Sequence, residues 1–462
     1  MSLYEMDTIA AISTPYGKGG VAVIRISGEE AVRIAHAVFQ PMKNKEDTAF
    51  ENRKAYYGIV CDPEKQKLDD VVLTFFQGPH SYTGEDTIEI CCHGGIVVTQ
   101  AVLETVLAAG ARQALPGEYT KRAFVNGKMK LSSAEALGNL LEATNKAQVK
   151  LFRSGMDGIL SKKIEDTYEK LGDVLSRIFV CIDYPDEDIS SMSREEMKGI
   201  LESVCKDLGA LERTYQTGHA VAEGIPTVIC GQTNVGKSSV YNMLLQKDAA
   251  IVTDIAGTTR DVLSENITLG KVLLRISDTA GLRETEDAVE KIGVDRARKK
   301  IDEAELVLAV FDASKPLDAE DREIIDYLAS ASKKTLILLN KADKPVCVEE
   351  EELKSRFSDV FYVSAKNAQG REQMEEAVNR FFIDGSLNLS NDAIVSNARQ
   401  FAAVLKAKNG VERAMQSLTD QVPLDLCCAD MEFAMQMLGE VDGREVSEDV
   451  VDKIFSHFCV GK

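Results

Sequence analysis

The sequence lacks the features that would place it in a membrane or hold it together through metals or disulfides. No apolar run approaches the ~18 residues needed to cross a bilayer. The opening MSLYEMDTIAAIS has no basic stretch and carries Glu5 and Asp7, so no secretory signal is expected and the cytosol is the expected compartment. Ten cysteines are scattered without a CxxC pair and the five histidines form no HExxH. That spacing argues against a structural zinc site or a disulfide framework, and most of the cysteines are expected to be small core residues. Positive charge is in deficit: 54 Lys and Arg against 74 Asp and Glu leave a net charge of −20. Phosphate repulsion opposes general nucleic-acid binding by such a chain, so contact with RNA requires a local basic patch or a partner that brings one. There is no internal repeat and no low-complexity tract.

What is present is a chain of 462 residues, 44% hydrophobic and 28% charged, long enough for about three globular domains. Residues 1–124 mix short β-branched runs with glycine turns. GGVAVIRISG (Gly19–Gly28), VVLTFFQG and DTIEICCHGG read as strands, and Ile96 to Ala109 as an amphipathic helix, which together make an α+β pattern. Residues 125–218 turn helical, broken by the acidic turn DYPDEDIS (Asp183–Ser190). Residues 219–382 alternate strands (PTVICG, KVLLRISD, ELVLAVFD, KTLILLN, VFYVSA) with helices, which predicts a parallel sheet wrapped by helices. Residues 383–462 return to helix. The expected architecture is a multidomain α/β and α protein in which an α/β module is inserted into one discontinuous helical domain.

Within the α/β stretch, five short elements follow one another in a meaningful order. PTVIC runs into GQTNVGKSS, where Gly231, Gly236, Lys237 and Ser238 fit G-x-x-x-x-G-K-[ST] between a strand and a helix. The glycines let backbone N–H groups turn around phosphate oxygens, the helix N-terminus adds favourable field, Lys237 meets the β and γ phosphates, and the Ser238 hydroxyl can ligate Mg²⁺. TDIAGTTRD (Thr253–Asp261) offers Thr259 to complete the magnesium shell. DTAG (Asp278, Thr279, Ala280, Gly281) ends a strand, where Asp278 can hold a magnesium-bound water and the Gly281 N–H can meet a γ-phosphate. NKAD (Asn340, Lys341, Ala342, Asp343) supplies a carboxylate that accepts the paired N1–H and N2–H₂ donors of guanine; adenine has no such pair. In SAK (Ser364, Ala365, Lys366) the Ala365 N–H can reach guanine O6. Each element alone is an ordinary turn, but five in sequence on one α/β pattern predict a site for GTP with Mg²⁺, an enzyme that hydrolyses GTP, and Asp343 as the residue that rejects ATP. The residue after DTAG is Leu282, which cannot orient water, so hydrolysis needs another group; RETEDAVEKIG offers Glu284, Glu286, Asp287 and Glu290, which could equally be a solvated acidic face.

The remaining blocks belong together. TPYGKGG and RISG within Thr8–Gly28, SYTGED (Ser81–Asp86), HGG (His93–Gly95), PGEYTKRAFVNGK (Pro116–Lys128) and the terminal FCVGK (Phe458–Lys462) resemble the tRNA modification GTPase MnmE (TrmE) family over nearly the whole chain. The sequence departs from the family pattern at Tyr16, Lys18, Thr233, Val235 and Val460 without losing a required group. The resemblance implies an N-terminal folate-binding domain that dimerises, a discontinuous helical domain and an inserted P-loop Ras-like G domain. It implies a cytoplasmic homodimer that joins an FAD-dependent MnmG-type partner to install an aminomethyl or carboxymethylaminomethyl group at C5 of the wobble uridine (U34) of certain tRNAs. The one-carbon unit would come from 5-formyl- or 5,10-methylene-tetrahydrofolate. Such a partner can bring much of the tRNA contact that the acidity of this chain opposes.

Residue by residue, the resemblance places Glu89 against the pterin's donor pair, and Arg25, Lys128 and Lys462 at the anionic tail of folate. It makes Cys459 the terminal cysteine near the folate and a catalytic candidate. It gives K⁺ the part that an arginine plays in other GTPases, with Asn234, Thr253, Ile255 and Thr258 as its ligands, and makes Glu290 the water-orienting catalytic group. GTP contacts extend over Asn234, Val235, Gly236, Lys237, Ser238, Ser239, Thr253, Asp254, Ile255, Ala256, Gly257, Thr258 and Thr259. The competing reading is a GTP-switched ribosome-assembly or translation factor without chemistry of its own, which leaves the N-terminal blocks and FCVGK unexplained.

Overall fold

The structure, a computed structural model, describes residues 7–42, 49–183, 192–245, 265–276 and 293–462. The chain divides into two compact units: Met1–Gly138 with Asp442–Lys462, and Asn139–Val441.

The first unit is built on a seven-stranded sheet. Its strands are β1 (Ile9–Ile12), β2 (Val21–Ser27), β3 (Phe39–Pro41), β4 (Ala55–Cys61), β5 (Lys67–Phe76), β6 (Thr87–His93) and β7 (Arg112–Gln113), in the order β3-β4-β5-β6-β2-β1-β7. All neighbours are antiparallel except β1 and β7. The alternation in VAVIRIS and TIEICCH decides which face is core. Ala22, Ile24, Ile26, Ile88, Ile90 and Cys92 are buried, so Arg25 and Glu89 must lie on the opposite face. Helices Ala31–Val38 and Ile96–Ala108 cover the apolar face through Ile34, Val38, Val102 and Val106. The C-terminal segment returns to this unit. Val451 and Phe455 join Leu131 and Ala134 in a small cluster, and Val460 forms an antiparallel bridge with Pro116. Gly461, at φ +95°, passes so close to β1 that a Cβ there would stand 2.3 Å from the Ile12 carbonyl oxygen; only glycine fits.

In the second unit, strands β8 (Ile225–Cys230), β9 (Glu265–Leu269), β10 (Val272–Ile276), β11 (Leu306–Asp312), β12 (Lys334–Asn340) and β13 (Val360–Tyr362) form a sheet in the order β13-β12-β11-β8-β10-β9. It is parallel except for β9 against β10. LVLAVFD and KTLILLN are buried almost throughout, as central strands covered on both faces require. Helices Lys237–Leu245 and Arg371–Phe382 cover one face; Ala319–Ser330 lies on the other.

Around this module, helices Ile159–Asp183, Arg194–Ala222 and Ala398–Thr419 and residues 427–441 of the following helix share one apolar core. Ser193 and Glu196 start the second of these with a capping box. Helical segments from before and after the sheet therefore pack on each other, and the α/β module is an insertion. Thr217 joins the two crossings: its hydroxyl donates to the Phe382 carbonyl (3.3 Å) and accepts from the Asp384 N–H (2.8 Å). The cysteines divide as their chemistry suggests: Cys61, Cys92, Cys230, Cys427 and Cys428 are buried, whereas Cys347 and Cys459 are exposed. No described helix is long and apolar enough to cross a membrane.

Candidate functional site

β8 ends at Cys230 and the chain turns through Gly231–Gly236 into helix Lys237–Leu245. Close approach dictates both glycines. A Cβ at Gly231 would lie 2.2 Å from the Val310 carbonyl oxygen, and one at Gly236 would lie 2.2 Å from Asn340 Nδ2. Asn234, exposed between them, has φ +62°, a left-handed conformation that asparagine tolerates better than most residues. Lys237 Nζ donates to the carbonyls of Gly231 (3.0 Å) and Gln232 (2.7 Å). Burial holds its pKa below the ordinary lysine value, so an anion placed beside it would be drawn in strongly. Ser238 and Ser239 occupy the first turn of the helix, Ser238 half-buried and Ser239 exposed. Val235 is buried at 5% exposure.

The two base-side loops are tied to this phosphate loop. Asn340 is 3% exposed, and its Nδ2 donates to the Val235 carbonyl (2.9 Å) while its Oδ1 accepts from the Ala365 N–H (3.2 Å). One side chain thus fixes the distance between NKAD and both partners. Lys341, at φ +66°, donates to the Asn234 carbonyl (2.7 Å) and to Asp312 Oδ2 (2.6 Å). The Ala342 N–H donates to the Val363 carbonyl (3.1 Å), which sets SAK beside NKAD. Asp343 is exposed, and Ser364 Oγ donates to its Oδ1 (2.8 Å). That hydrogen bond, with one from its own backbone, keeps the carboxyl below the usual carboxylate pKa, so it is an ionised acceptor with a fixed orientation. Lys366 is exposed at the rim.

Thr253, Asp254, Ile255, Ala256, Gly257, Thr258, Thr259, Asp278, Thr279, Ala280, Gly281, Leu282 and Glu290 lie outside the described residues. Of the residues expected to hold Mg²⁺, Ser238 is described, at the start of the helix; of those expected to hold K⁺, Asn234 is. Among the described residues no carboxylate pairs with Lys237, and a hard oxygen beside such a lysine suits a metal–phosphate pair.

On the open face of the first sheet, Arg25 and Glu89 are cross-strand partners. Arg25 Nε (3.0 Å) and Nη2 (2.9 Å) both meet Glu89 Oε1, and Nη1 donates to the Gly461 carbonyl (3.3 Å). The rings of Tyr82 and Tyr119 stand 5.4 and 5.6 Å from the guanidinium carbon, and Tyr119 Oη donates to the Arg25 carbonyl (2.7 Å). The C-terminal tail therefore contributes backbone to this site, with Cys459 exposed and the Lys462 N–H bonded to the Cys459 carbonyl (3.3 Å). Lys128 Nζ donates to the Pro79 carbonyl (2.7 Å), in the loop that carries SYTGED.

Sequence reasoning missed the frame behind these groups. Arg122, 5% exposed, meets Asp7, Glu85 and Glu118, and Arg112 meets Asp7 and Glu118. Asn126 Nδ2 donates to the Thr83 carbonyl (2.8 Å) and Tyr82 Oη lies 2.8 Å from Thr120 Oγ1. The signal was the charge density of PGEYTKRAFVNGK and SYTGED, read as motif rather than as mutual pairing.

Comparison with known proteins bears on both sites. Residues 8–128 match the family model described as GTP-binding protein TrmE N-terminus, and residues 131–459 match the MnmE helical domain. A tRNA modification GTPase MnmE of Acetivibrio thermocellus is 42% identical over 469 residues, covering 100% of both chains. Its namesake from Lactiplantibacillus plantarum is 41% identical over 463 residues, with 99% of each chain covered. That of Lactobacillus helveticus is 40% identical over 463 residues, covering 100% of this chain and 99% of the relative. A likeness that runs unbroken through the folded N-terminal sheet, the inserted α/β module and the terminal tail leaves one assignment: the chain belongs to the MnmE (TrmE) family of tRNA modification GTPases.

Proposed function

We propose that this protein is a K⁺-stimulated GTPase that works with an MnmG-type FAD protein to modify C5 of the wobble uridine of certain tRNAs, using a folate one-carbon unit. The observation that carries the nucleotide part is the Asn340 tie. It holds a phosphate loop bearing a half-buried lysine at a fixed distance from an exposed, ionised Asp343. A triphosphate laid on the first and a guanine donor pair facing the second belong to one ligand. Mg²⁺ would use Ser238 with Thr259, and K⁺ would use Asn234 with Thr253, Ile255 and Thr258. Bound there, the two cations would offset charge growing on the phosphates during transfer. Glu290 would orient the attacking water.

For the folate part, Arg25 and Glu89 supply both signs of charge on one open sheet face, with Tyr82 and Tyr119 beside them and the tail at the edge. Glu89 would take the pterin's donor pair, Lys128 and Lys462 the anionic tail, and Cys459 would lie close to the one-carbon unit. The names of the relatives supply the tRNA substrate. Mass spectrometry of wobble uridines in cells lacking this protein tests the whole proposal. The C5 modification should disappear and return with the wild-type chain but not with Glu290→Ala; a full set of modified uridines without the protein would end it.

A further inference from the structure

We propose that Asp312 is a positioning residue of the nucleotide site, acting through Lys341 to hold the phosphate loop in shape. This rests on the reading of that site as a GTP site. Asp312 ends β11, directly beside Asn340 at the end of β12. Its side chain is 8% exposed and both oxygens are engaged: Oδ2 with the Lys341 ammonium (2.6 Å), Oδ1 with the Ser314 N–H (3.0 Å) and hydroxyl (2.6 Å). With both oxygens held by protein donors, the effect of Asp312 on a ligand passes through Lys341.

Lys341 needs such a partner. Its ammonium donates to the Asn234 carbonyl, and the two residues joined by that bond, Lys341 and Asn234, both hold left-handed backbones at φ +66° and +62°. Neither is glycine, so each conformation persists only because its surroundings impose it. A lysine offered carbonyl oxygens alone has four rotatable bonds and a strong pull toward water; a buried carboxylate removes that freedom and pins Nζ where it meets the loop. The two lysines of the site divide the labour. Lys237 is held by two carbonyls and keeps its charge for an incoming anion, whereas Lys341 is neutralised by Asp312 and serves the loop. Through that loop carbonyl, Asp312 sets the backbone from which the Asn234 side chain projects.

Dissociation of a fluorescent GDP analogue from the full-length protein tests the coupling. Asp312→Asn keeps the shape and removes the charge, and is expected to speed dissociation about 10-fold. In a Lys341→Gln background the same change should alter dissociation by less than about 2-fold, because the group through which Asp312 acts is gone. An unchanged rate in the single variant, or an undiminished effect in the Lys341→Gln background, overturns the proposal. Should Asp312→Asn not fold, the cycle run with Asp312→Glu decides, since any change it causes must likewise vanish with Lys341→Gln. Hydrolysis by the wild type at equal rates in K⁺ and Na⁺ would remove the cation role of Asn234, while the dissociation cycle would still judge Asp312.

Discussion

The two candidate sites are held in opposite ways. In the α/β module, the groups aimed at a ligand rest on neutral ties, Asn340 joining three loops through amide hydrogen bonds and Lys237 resting on carbonyls, while the Asp312–Lys341 ion pair braces the loop from behind. On the N-terminal sheet, Arg25 and Glu89 are fixed by each other. A ligand entering the first site adds to a frame already assembled. A ligand that wants the Glu89 carboxylate must share it with Arg25, whose two contacts both fall on Oε1. A scaffold of hydrogen bonds favours a site that must keep its geometry through many cycles, while an ion pair at a site keeps charged groups satisfied until a ligand with both donors and acceptors replaces them.

Breaking the first frame should give the largest effect. Asn340→Ala leaves the Val235 carbonyl and the Ala365 N–H without their partner. It is expected to weaken GTP binding about 100-fold, roughly 3 kcal/mol, with folate binding unaltered; isothermal titration with both ligands checks the separation. Next, wild-type hydrolysis is expected to be faster in K⁺ than in Na⁺, and Asn234→Ala to lower the K⁺ rate at least about 10-fold while leaving the Na⁺ rate nearly unchanged. Steady-state phosphate release in the two salts reads this.

On the other side of the comparison, Glu89→Gln is expected to weaken binding of a reduced folate about 10-fold, the modest figure reflecting a pair that is partly open to water. GTP hydrolysis should not change. The smallest effect concerns acid. Hydrogen bonds from Arg112, then burial in opposition, then Arg122 leave Asp7 with a lowered pKa. Burial alone would raise the Glu118 pKa, but Arg112, the Leu115 N–H and Arg122 outweigh it. Carboxyls lowered in the fold stabilise it above their unfolded pKa values, near 4, and lose that contribution as pH falls through the folded ones. The N-terminal unit is therefore expected to melt at lower temperature at pH 3 than at pH 6, with Arg122→Met narrowing the difference.

Much of the nucleotide site was legible in the sequence because its chemistry is confined to short segments at strand ends, where spacing alone implies geometry. Gly231, Gly236, Lys237 and Asp343 stand where their motifs predict a strand–loop–helix turn and a base-side loop. Asn340 was legible as a member of NKAD but not as the tie between loops, since that role depends on three segments meeting. Asp312 ends an apolar strand, yet nothing in LVLAVFD reveals that Lys341 will reach it. The Arg25–Glu89 pairing needs the register of β2 against β6, and the path of the tail needs the contact of Gly461 with Ile12; both are long-range facts that local pattern does not carry. The insertion of the α/β module was readable from alternation of helix and strand, whereas the return of residues 442–462 to the N-terminal unit was implied only by the resemblance, through Cys459 and Lys462, and not by local pattern.

The central claim is that Asp343, held by Ser364 on a loop braced to the phosphate cradle, reads the donor pair of guanine. Xanthine replaces guanine's 2-amino donor with a carbonyl acceptor, so a carboxamide in place of the carboxylate should complement it. Titration of Asp343→Asn with GTP and XTP is the direct measurement. The account predicts that preference shifts from the guanine to the xanthine nucleotide by about 100-fold or more; a variant that still prefers GTP as the wild type does would contradict it.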